Sequence, residues 1–160
     1  MSTFELEEVG LPDSDDREAW VKYWKSKNQP WRIEPIISKE RQEYLAERRK
    51  IEPDDEQGIY PFKGIAPNLS RADIEWLLAT HENGRGPVDW KDESQRKRYG
   101  LDLRGADLRD LDLRELPLAR MLAGQSQRRK GERYEAVTIY FHEIDICAVH
   151  LEGANLSQAH

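Results

Sequence analysis

Leucine recurs every five residues along residues 101–120, LDLRGADLRDLDLRELPLAR. The central leucines are Leu103, Leu108, Leu113 and Leu118, and a second apolar residue stands two positions before each: Leu101, Ala106, Leu111 and Leu116. An α-helix repeats its faces about every 3.6 residues and a strand about every 2, so neither keeps these positions on one side. A chain that turns a corner every five residues would keep them inside, because alternate residues on each short side point in and out.

A weaker copy of the pattern follows at residues 139–158, IYFHEIDICAVHLEGANLSQ. Its central positions are again five apart: Phe141, Ile146, Leu151 and Leu156. Residues 121–138, between the two copies, have no such register. An ordinary amphipathic strand over residues 137–151 is the alternative for the second copy, because Val137, Ile139 and Phe141 also alternate.

Written as LDLRG, ADLRD, LDLRE and LPLAR, the first copy resembles the pentapeptide-repeat family, whose usual unit is A(D/N)LXX. The resemblance extends over residues 101–120 and 139–160. It implies a solenoid, a right-handed quadrilateral β-helix in which four units close one coil and the central residues point inward. The structural core of the repeat would then be the eight central residues: Leu103, Leu108, Leu113, Leu118, Phe141, Ile146, Leu151 and Leu156.

Capping residues followed by apolar side chains at helical spacing predict helices upstream of the repeat. Asp13, Ser14 or Asp15 is predicted to cap the first helix, which ends before Pro30 and whose aromatic face is Trp20, Tyr23 and Trp24. Ser38 starts the second.

Ser70 and Asp73 form a capping-box pair before the third helix, whose apolar stripe includes Ile74, Leu77 and Leu78. A fourth, polar helix over residues 92–99 is closed by Gly100. The connection over residues 51–68 is a long loop, which we expect to be anchored by four side chains: Ile59, Tyr60, Phe62 and Ile65.

These elements together predict a mixed α and β fold: a helical N-terminal region capping a short right-handed quadrilateral β-helix of about two coils. The expected domains are an acidic flexible tail at residues 1–14, a helical region with long loops at residues 15–100, and the repeat at residues 101–160, interrupted by a loop at residues 121–138. Two coils are few for a repeat protein, so Trp-rich helical faces are expected to cover one end.

The net charge of −6 lies entirely in residues 1–20, which hold seven acidic residues and one basic residue. No apolar run approaches the roughly 18 residues of a membrane span, and the first residues do not resemble a signal peptide. A cytoplasmic protein without membrane contact is expected. The single cysteine, Cys147, agrees with a reducing compartment.

Candidate chemistry is sparse, and we predict no catalytic, cofactor-binding or metal-binding residues and no cofactor. The one group of metal-ligand types is His142, Asp145, Cys147 and His150, but the repeat would point His142 and Cys147 outward from adjacent sides. The arginines of the first copy alternate with aspartates, which indicates a salt-bridged surface. The basic loop Arg128, Arg129, Lys130 and Arg133 is expected to be solvated, with a phosphate or nucleic-acid contact as the alternative.

The function that this pattern predicts is that of a non-enzymatic pentapeptide-repeat binding or scaffold module with an unknown protein partner. One alternative, implied by the family, is a DNA-mimicking protein that interacts with topoisomerase, or a fragment of one. Two coils would rise only about 10 Å, however, the length of about 3 base pairs. An enzyme of unrecognised type in the helical region is the other alternative. A nucleic-acid partner is not favoured, whereas a homodimer through the open C-terminal end, at residues 159–160, is a further expectation.

Overall fold

The computed structural model describes residues 10–54 and 56–122, together with the backbone of residues 125–126 and 139–140. Most of the predicted tail and nearly all of the second repeat copy therefore lie outside the described residues. The chain divides into two compact units, Met1–Ile36 and Ile37–His160, which are taken in turn.

The first unit is built on helix α1, Arg17–Ser26. Its cap is Asp16, which accepts from the Ala19 N–H, so the start lies one residue beyond the predicted caps. Two tryptophans on one face, Trp20 and Trp24, are buried and stack with their ring centres 5.9 Å apart. After the helix the chain folds back, so that the Trp24 indole N–H donates to the Glu34 carbonyl and the Arg32 guanidinium lies over the Trp24 ring. The predicted aromatic face is thus the core of this small unit.

The second unit opens with helix α2, Lys39–Arg49, capped by Ser38, and helix α3, Arg71–Ala79, which starts at a capping box. Both predicted starts are confirmed. A short helix α4, His81–Gly84, follows, and its second and third residues have left-handed backbone angles. The polar helix predicted over residues 92–99 is wrong: only a 3-10 turn, Glu93–Gln95, forms there. That segment has no apolar stripe to bury, and packing supplies most helix stability in proteins.

Arginines of α2 hold α3 at both ends. Arg41 makes two hydrogen bonds, of 3.1 and 2.9 Å, to the carboxylate of Asp73 in the first turn of α3. Arg49 donates to the carbonyls of Leu77 and Thr80 at the end of α3, at 3.0 and 3.1 Å, where helical carbonyls begin to lose their intrahelical partners. Burial lowers the pKa of Arg49.

Three of the four side chains expected to anchor the long connection are buried: Tyr60, Phe62 and Ile65. The prediction is wrong for Ile59, which is 42% exposed. Its backbone pairs with Asp54 through two hydrogen bonds, of 2.8 and 2.9 Å, and this tight loop turns the isoleucine side chain outward.

Residues 101–122, called the turn ladder below, form one β-turn in every five residues. The first N–H of each new unit donates to the carbonyl of the preceding central leucine at 3.1–3.4 Å: Ala106 to Leu103, Leu111 to Leu108, Leu116 to Leu113, and Met121 to Leu118. The residue before each donor has a positive φ: Gly105 at 71°, Asp110 at 60°, Glu115 at 63° and Arg120 at 62°. A positive φ at the third turn position is the mark of a type II turn, so a repeated turn generates the period of five.

After four turns the ladder returns beside its own start. Asp102 and Leu122 form a parallel bridge, with hydrogen bonds from the Leu103 N–H to the Leu122 carbonyl at 2.9 Å and from the Leu122 N–H to the Leu101 carbonyl at 2.8 Å. Nine apolar residues of the ladder are buried: Leu101, Leu103, Ala106, Leu108, Leu113, Leu116, Leu118, Ala119 and Met121. Leu111, which was also expected inside, is only partly buried.

The expected fold class, a helical region capping a right-handed quadrilateral β-helix of about two coils, is wrong, and so is the solenoid. Within the described residues no strand runs through the ladder, and the sheet consists of Gln125–Ser126 (β1) paired antiparallel with Ile139–Tyr140 (β2). Each unit uses its last two residues in a turn, which leaves only about three for a strand. Stacked coils need parallel neighbours all along, but the one parallel contact of the described residues is the single bridge between Asp102 and Leu122, and β1 and β2 run in opposite directions.

Candidate functional site

Each of the first three units of the turn ladder carries the same aspartate–arginine pair. The aspartate stands one residue before the central leucine and the arginine one residue after it. In every pair the arginine Nε and Nη2 bind the two carboxylate oxygens at 2.6–3.0 Å, and the arginine backbone N–H donates as well at 3.1–3.2 Å: Asp102 with Arg104, Asp107 with Arg109, and Asp112 with Arg114. The predicted salt-bridged surface is confirmed.

These hydrogen bonds favour the ionised carboxylates. The Arg109 side chain lowers the pKa of Asp107 to about 2, and Arg114 likewise lowers the pKa of Asp112. A general acid or base works best when its pKa lies near the operating pH. The lowered pKa values of Asp107 and Asp112 lie far from neutral pH, so these two carboxylates are poor general acids or bases.

The segment before the ladder contacts its units in order along the chain. The Arg104 guanidinium lies 4.8 Å from the centre of the Tyr60 ring, and the Asn68 side chain donates to Asp107 at 3.0 Å. Arg71 of α3 donates to two carbonyls of the third unit, those of Asp112 at 3.1 Å and Arg114 at 2.8 Å. Polar side chains thus fix three successive turns against residues 60–71.

Arg71 is itself held by a buried carboxylate. Its Nε donates to Glu75, one helical turn later, at 2.9 Å, and the two side chains are 7% and 0% exposed. A buried ion pair stabilises only when its geometry is good and other hydrogen bonds satisfy the remaining polar atoms. The carbonyls of the third ladder unit supply such bonds to Arg71.

The fourth unit is fixed by the residues that directly precede the ladder. The Arg120 Nε donates to the Arg98 carbonyl at 3.0 Å, and the Gly100 N–H donates to the Arg120 carbonyl at 3.1 Å. The imidazole Nε2 of His81 lies 2.7 Å from the Tyr99 carbonyl, which can only accept, so Nε2 carries the proton. These bonds connect the start of α4 to the residues before the ladder and those residues to its last turn.

A small charged network surrounds His81. Glu82 binds Arg98 at 2.9 Å, and the buried Arg98 also donates to the Gly86 carbonyl at 2.6 Å. Burial lowers the pKa of His81, an effect that the Tyr99 carbonyl and the charge of Glu82 partly oppose. Every group of this network thus has a partner that fixes the loop after α3.

The predicted site residues divide between two parts of the chain. The central leucines of the first copy, Leu103, Leu108, Leu113 and Leu118, lie together in the ladder interior. The central residues of the second copy, Phe141, Ile146, Leu151 and Leu156, lie outside the described residues. So do the group His142, Asp145, Cys147 and His150, the basic loop, and the open C-terminal end. Among the described residues no group of three or more metal-ligand side chains occurs.

The sequence pattern places His81 on the stripe of the third helix but does not reveal the contacts by which Arg71, His81 and Arg98 hold the ladder in place. The spacing of Arg71 and Glu75, four residues apart at the start of a helix, was one available signal. The other contacts join residues more than ten positions apart, which no local pattern reveals.

No protein-family model matches the chain, and neither a curated protein nor a solved structure shows a significant match. No helix in the described part of the chain is long and apolar enough to cross a membrane.

Proposed function

We propose that this protein is a non-enzymatic binding or scaffold module of the pentapeptide-repeat kind, with the turn ladder as its rigid frame. The observation that supports the proposal best is the repeated aspartate–arginine pair, in which each carboxylate accepts from the side chain and the backbone N–H of the arginine two positions later. Such pairs hold the turns of the ladder in place, and their charged groups bind each other.

The second support is electrostatic. The carboxylate of Asp107, with its pKa at about 2, and that of Asp112 stay ionised at neutral pH and are poorly suited to proton transfer. A rigid surface with fixed side chains is suited to recognition, because little conformational freedom is lost on binding.

The charges of the ladder agree better with a module that binds a protein than with a protein that mimics DNA. Duplex DNA presents one uncompensated negative charge for about every 1.7 Å of its axis. The ladder aspartates instead lie within hydrogen-bond distance of arginines, so the surface alternates in sign. We propose a cytoplasmic location, since the lone cysteine suits a reducing compartment.

Affinity capture from a lysate of the source organism, with chemical cross-linking, tests the binding function. The tagged chain should capture a defined protein at constant stoichiometry. Leu108→Asp, which puts a charge into the ladder interior, should lose it, whereas Leu11→Asp, at a position already 39% exposed, should retain it. Failure of the wild-type chain to capture anything above a tag-only control, or equal capture by Leu108→Asp, would contradict the proposal.

A further inference from the structure

Asn83 and Gly84 form the only asparagine–glycine step in the chain, and both residues are exposed. They lie in the second half of α4, which buries no residue. Hydrogen bonds hold the side chains of the first half, His81 and Glu82, whereas the backbone N–H of Gly84 donates to the Thr80 carbonyl at 3.2 Å. A segment without buried side chains opens at a low free energy, so this bond can break while the rest of the protein stays folded.

The space around Gly84 leaves its backbone room to move. A Cβ atom built on Gly84 would meet no atom within 4 Å beyond its chain neighbours and the backbone of α4. Asn83 has φ 57° and ψ 38°, and Gly84 has φ 89°. A glycine changes its backbone angles at little cost and lets another group approach its nitrogen closely. Once the bond to Thr80 breaks, rotation about the Asn83 Cα–C bond can bring the Gly84 nitrogen against the side-chain carbonyl of Asn83.

We propose that Asn83 deamidates spontaneously through a succinimide, and that the resulting isoaspartate loosens the loop after α3. The Gly84 amide nitrogen, deprotonated by hydroxide, attacks the side-chain carbonyl carbon of Asn83. A new C–N bond forms and the Cγ–Nδ2 bond breaks, which releases ammonia. Water then opens the succinimide at one of its two carbonyls and gives aspartate or isoaspartate. The net reaction is hydrolysis of an amide with water as co-reactant, and it needs neither a partner nor the proposed binding function.

Both products add a carboxylate next to Glu82, which binds Arg98 at 2.9 Å and Arg85 at 3.3 Å. In isoaspartate the main chain also passes through the Cβ atom, so the left-handed backbone of Glu82 and its neighbour cannot keep its geometry. Aspartate tolerates that backbone as asparagine does. We therefore expect isoaspartate, but not aspartate, to weaken the contact between Glu82 and Arg98 that fixes the loop after α3.

Asn28 is a matched position within the same chain. It is exposed, has φ 61°, and precedes a residue whose N–H is bonded, since Gln29 donates to the Trp24 carbonyl at 2.9 Å. The difference is the side chain of Gln29, which hinders the approach of another group to its nitrogen, whereas Gly84 has no side chain. Asn83 should therefore react faster than Asn28.

Peptide mass spectrometry of the full-length chain, during incubation at mildly alkaline pH, tests the proposal. Asn83 should convert at least about tenfold faster than Asn28 in the folded protein, and within about tenfold of its own rate in denaturant, because only α4 must open. This comparison within one chain needs no variant to fold. The product should contain more isoaspartate than aspartate, and a protease that cleaves before aspartate but not before isoaspartate distinguishes the two.

Anion exchange separates the acidic form that the wild-type chain develops. Asn83→Gln should lack this form, whereas the same change at the matched position, Asn28→Gln, should retain it. The isoaspartate form should melt at a lower temperature than the unmodified chain, and Asn83→Asp should melt like the unmodified chain.

The proposal is overturned if Asn83 converts no faster than Asn28 in the folded protein, or if aspartate forms without isoaspartate, which indicates direct hydrolysis. It is also overturned if the isoaspartate form melts at the temperature of the unmodified chain, or if Asn83→Asp is destabilised as much as the isoaspartate form.

Discussion

At the scale of single residues, the ladder places ordinary amino acids in a backbone conformation that favours glycine. Asp110, Glu115 and Arg120 have φ near 60° at the third position of their turns. Only the first turn has a glycine at that position, Gly105. A left-handed conformation costs about 1–2 kcal/mol for a residue with a Cβ atom. The regular turn is therefore maintained against local strain by the packing of the leucines inside it.

Glu115→Gly should stabilise the protein by about 0.5–1 kcal/mol, because relief of the left-handed strain exceeds the extra chain entropy of glycine in the unfolded state. Chemical denaturation measures the change. Glu115→Ala is the control, since it removes the same carboxylate but keeps the Cβ atom, and it should give no gain. An equal gain from both variants would show that the carboxylate, and not the backbone, is responsible.

Gly100 is required for a different reason, the close approach of two chain segments. A Cβ atom there would lie 2.7 Å from the Met121 nitrogen and 2.8 Å from the Arg120 carbonyl carbon. Gly100→Ala should cost about 1–3 kcal/mol, because the ladder must shift to make room. A thermal melt unchanged from the wild type would show that the ladder does not close against Gly100.

His81 should make stability depend on pH. Burial lowers its pKa below 6.5, so the unfolded chain takes up a proton at a higher pH than the folded protein does. The contribution of neutral His81 to the free energy of unfolding is complete above about pH 6.5, and it is lost as the pH falls toward the pKa of His81 in the folded protein. The free energy of unfolding should fall less between pH 7.5 and pH 5.5 in His81→Gln than in the wild type, since both retain the other three histidines. Parallel profiles would contradict the prediction.

At the scale of elements, α3 meets the ladder through the buried pair of Arg71 and Glu75. Arg71→Met should cost about 3–5 kcal/mol, because it removes a cation that binds the buried Glu75 carboxylate at 2.9 Å. Arg71→Met combined with Glu75→Leu should recover part of that loss, although the bonds to the third ladder unit stay absent. Denaturant titration of the double-mutant cycle measures the coupling.

The exposed pair of Lys50 and Glu47 is the comparison for that cycle, with side chains 72% and 73% exposed. Lys50→Met should change stability by less than about 1 kcal/mol. If Arg71→Met combined with Glu75→Leu is no more stable than Arg71→Met alone, the burial of Glu75 does not depend on Arg71.

The elements differ in how far the sequence could predict them. The caps at Ser38 and Ser70 act within three residues, so their helices were predictable. The inward leucines were also predictable, because a five-residue period allows few geometries. Whether the repeat forms a β-helix could not be predicted, because repeated turns without strands give the same period of five. The stacking of coils also depends on contacts between segments that are distant in the sequence.

At the scale of the whole molecule, residues 60–100 and the turn ladder depend on each other within the second unit. Tyr60, Asn68 and Arg71 contact the first three ladder units in order, and Arg98 and Gly100 contact the fourth. Buried apolar side chains come from both parts, for example Leu77 and Leu78 of α3 and Leu103 and Leu113 of the ladder, and a chain of this size gains stability mainly from its shared core. We therefore expect the ladder and α3 to unfold together, as one cooperative unit that presents the binding surface.

Native-state hydrogen exchange of backbone amides tests this claim most directly, because opening free energies report which segments unfold together. The informative amides are those of Leu103 and Leu122, which close the ladder, and that of Thr80, which bonds to the Trp76 carbonyl at the end of α3. We predict the same opening free energy for all three, equal to that of global unfolding. Exchange of Leu103 and Leu122 at the rate of an unstructured peptide, with Thr80 still protected, would contradict the account.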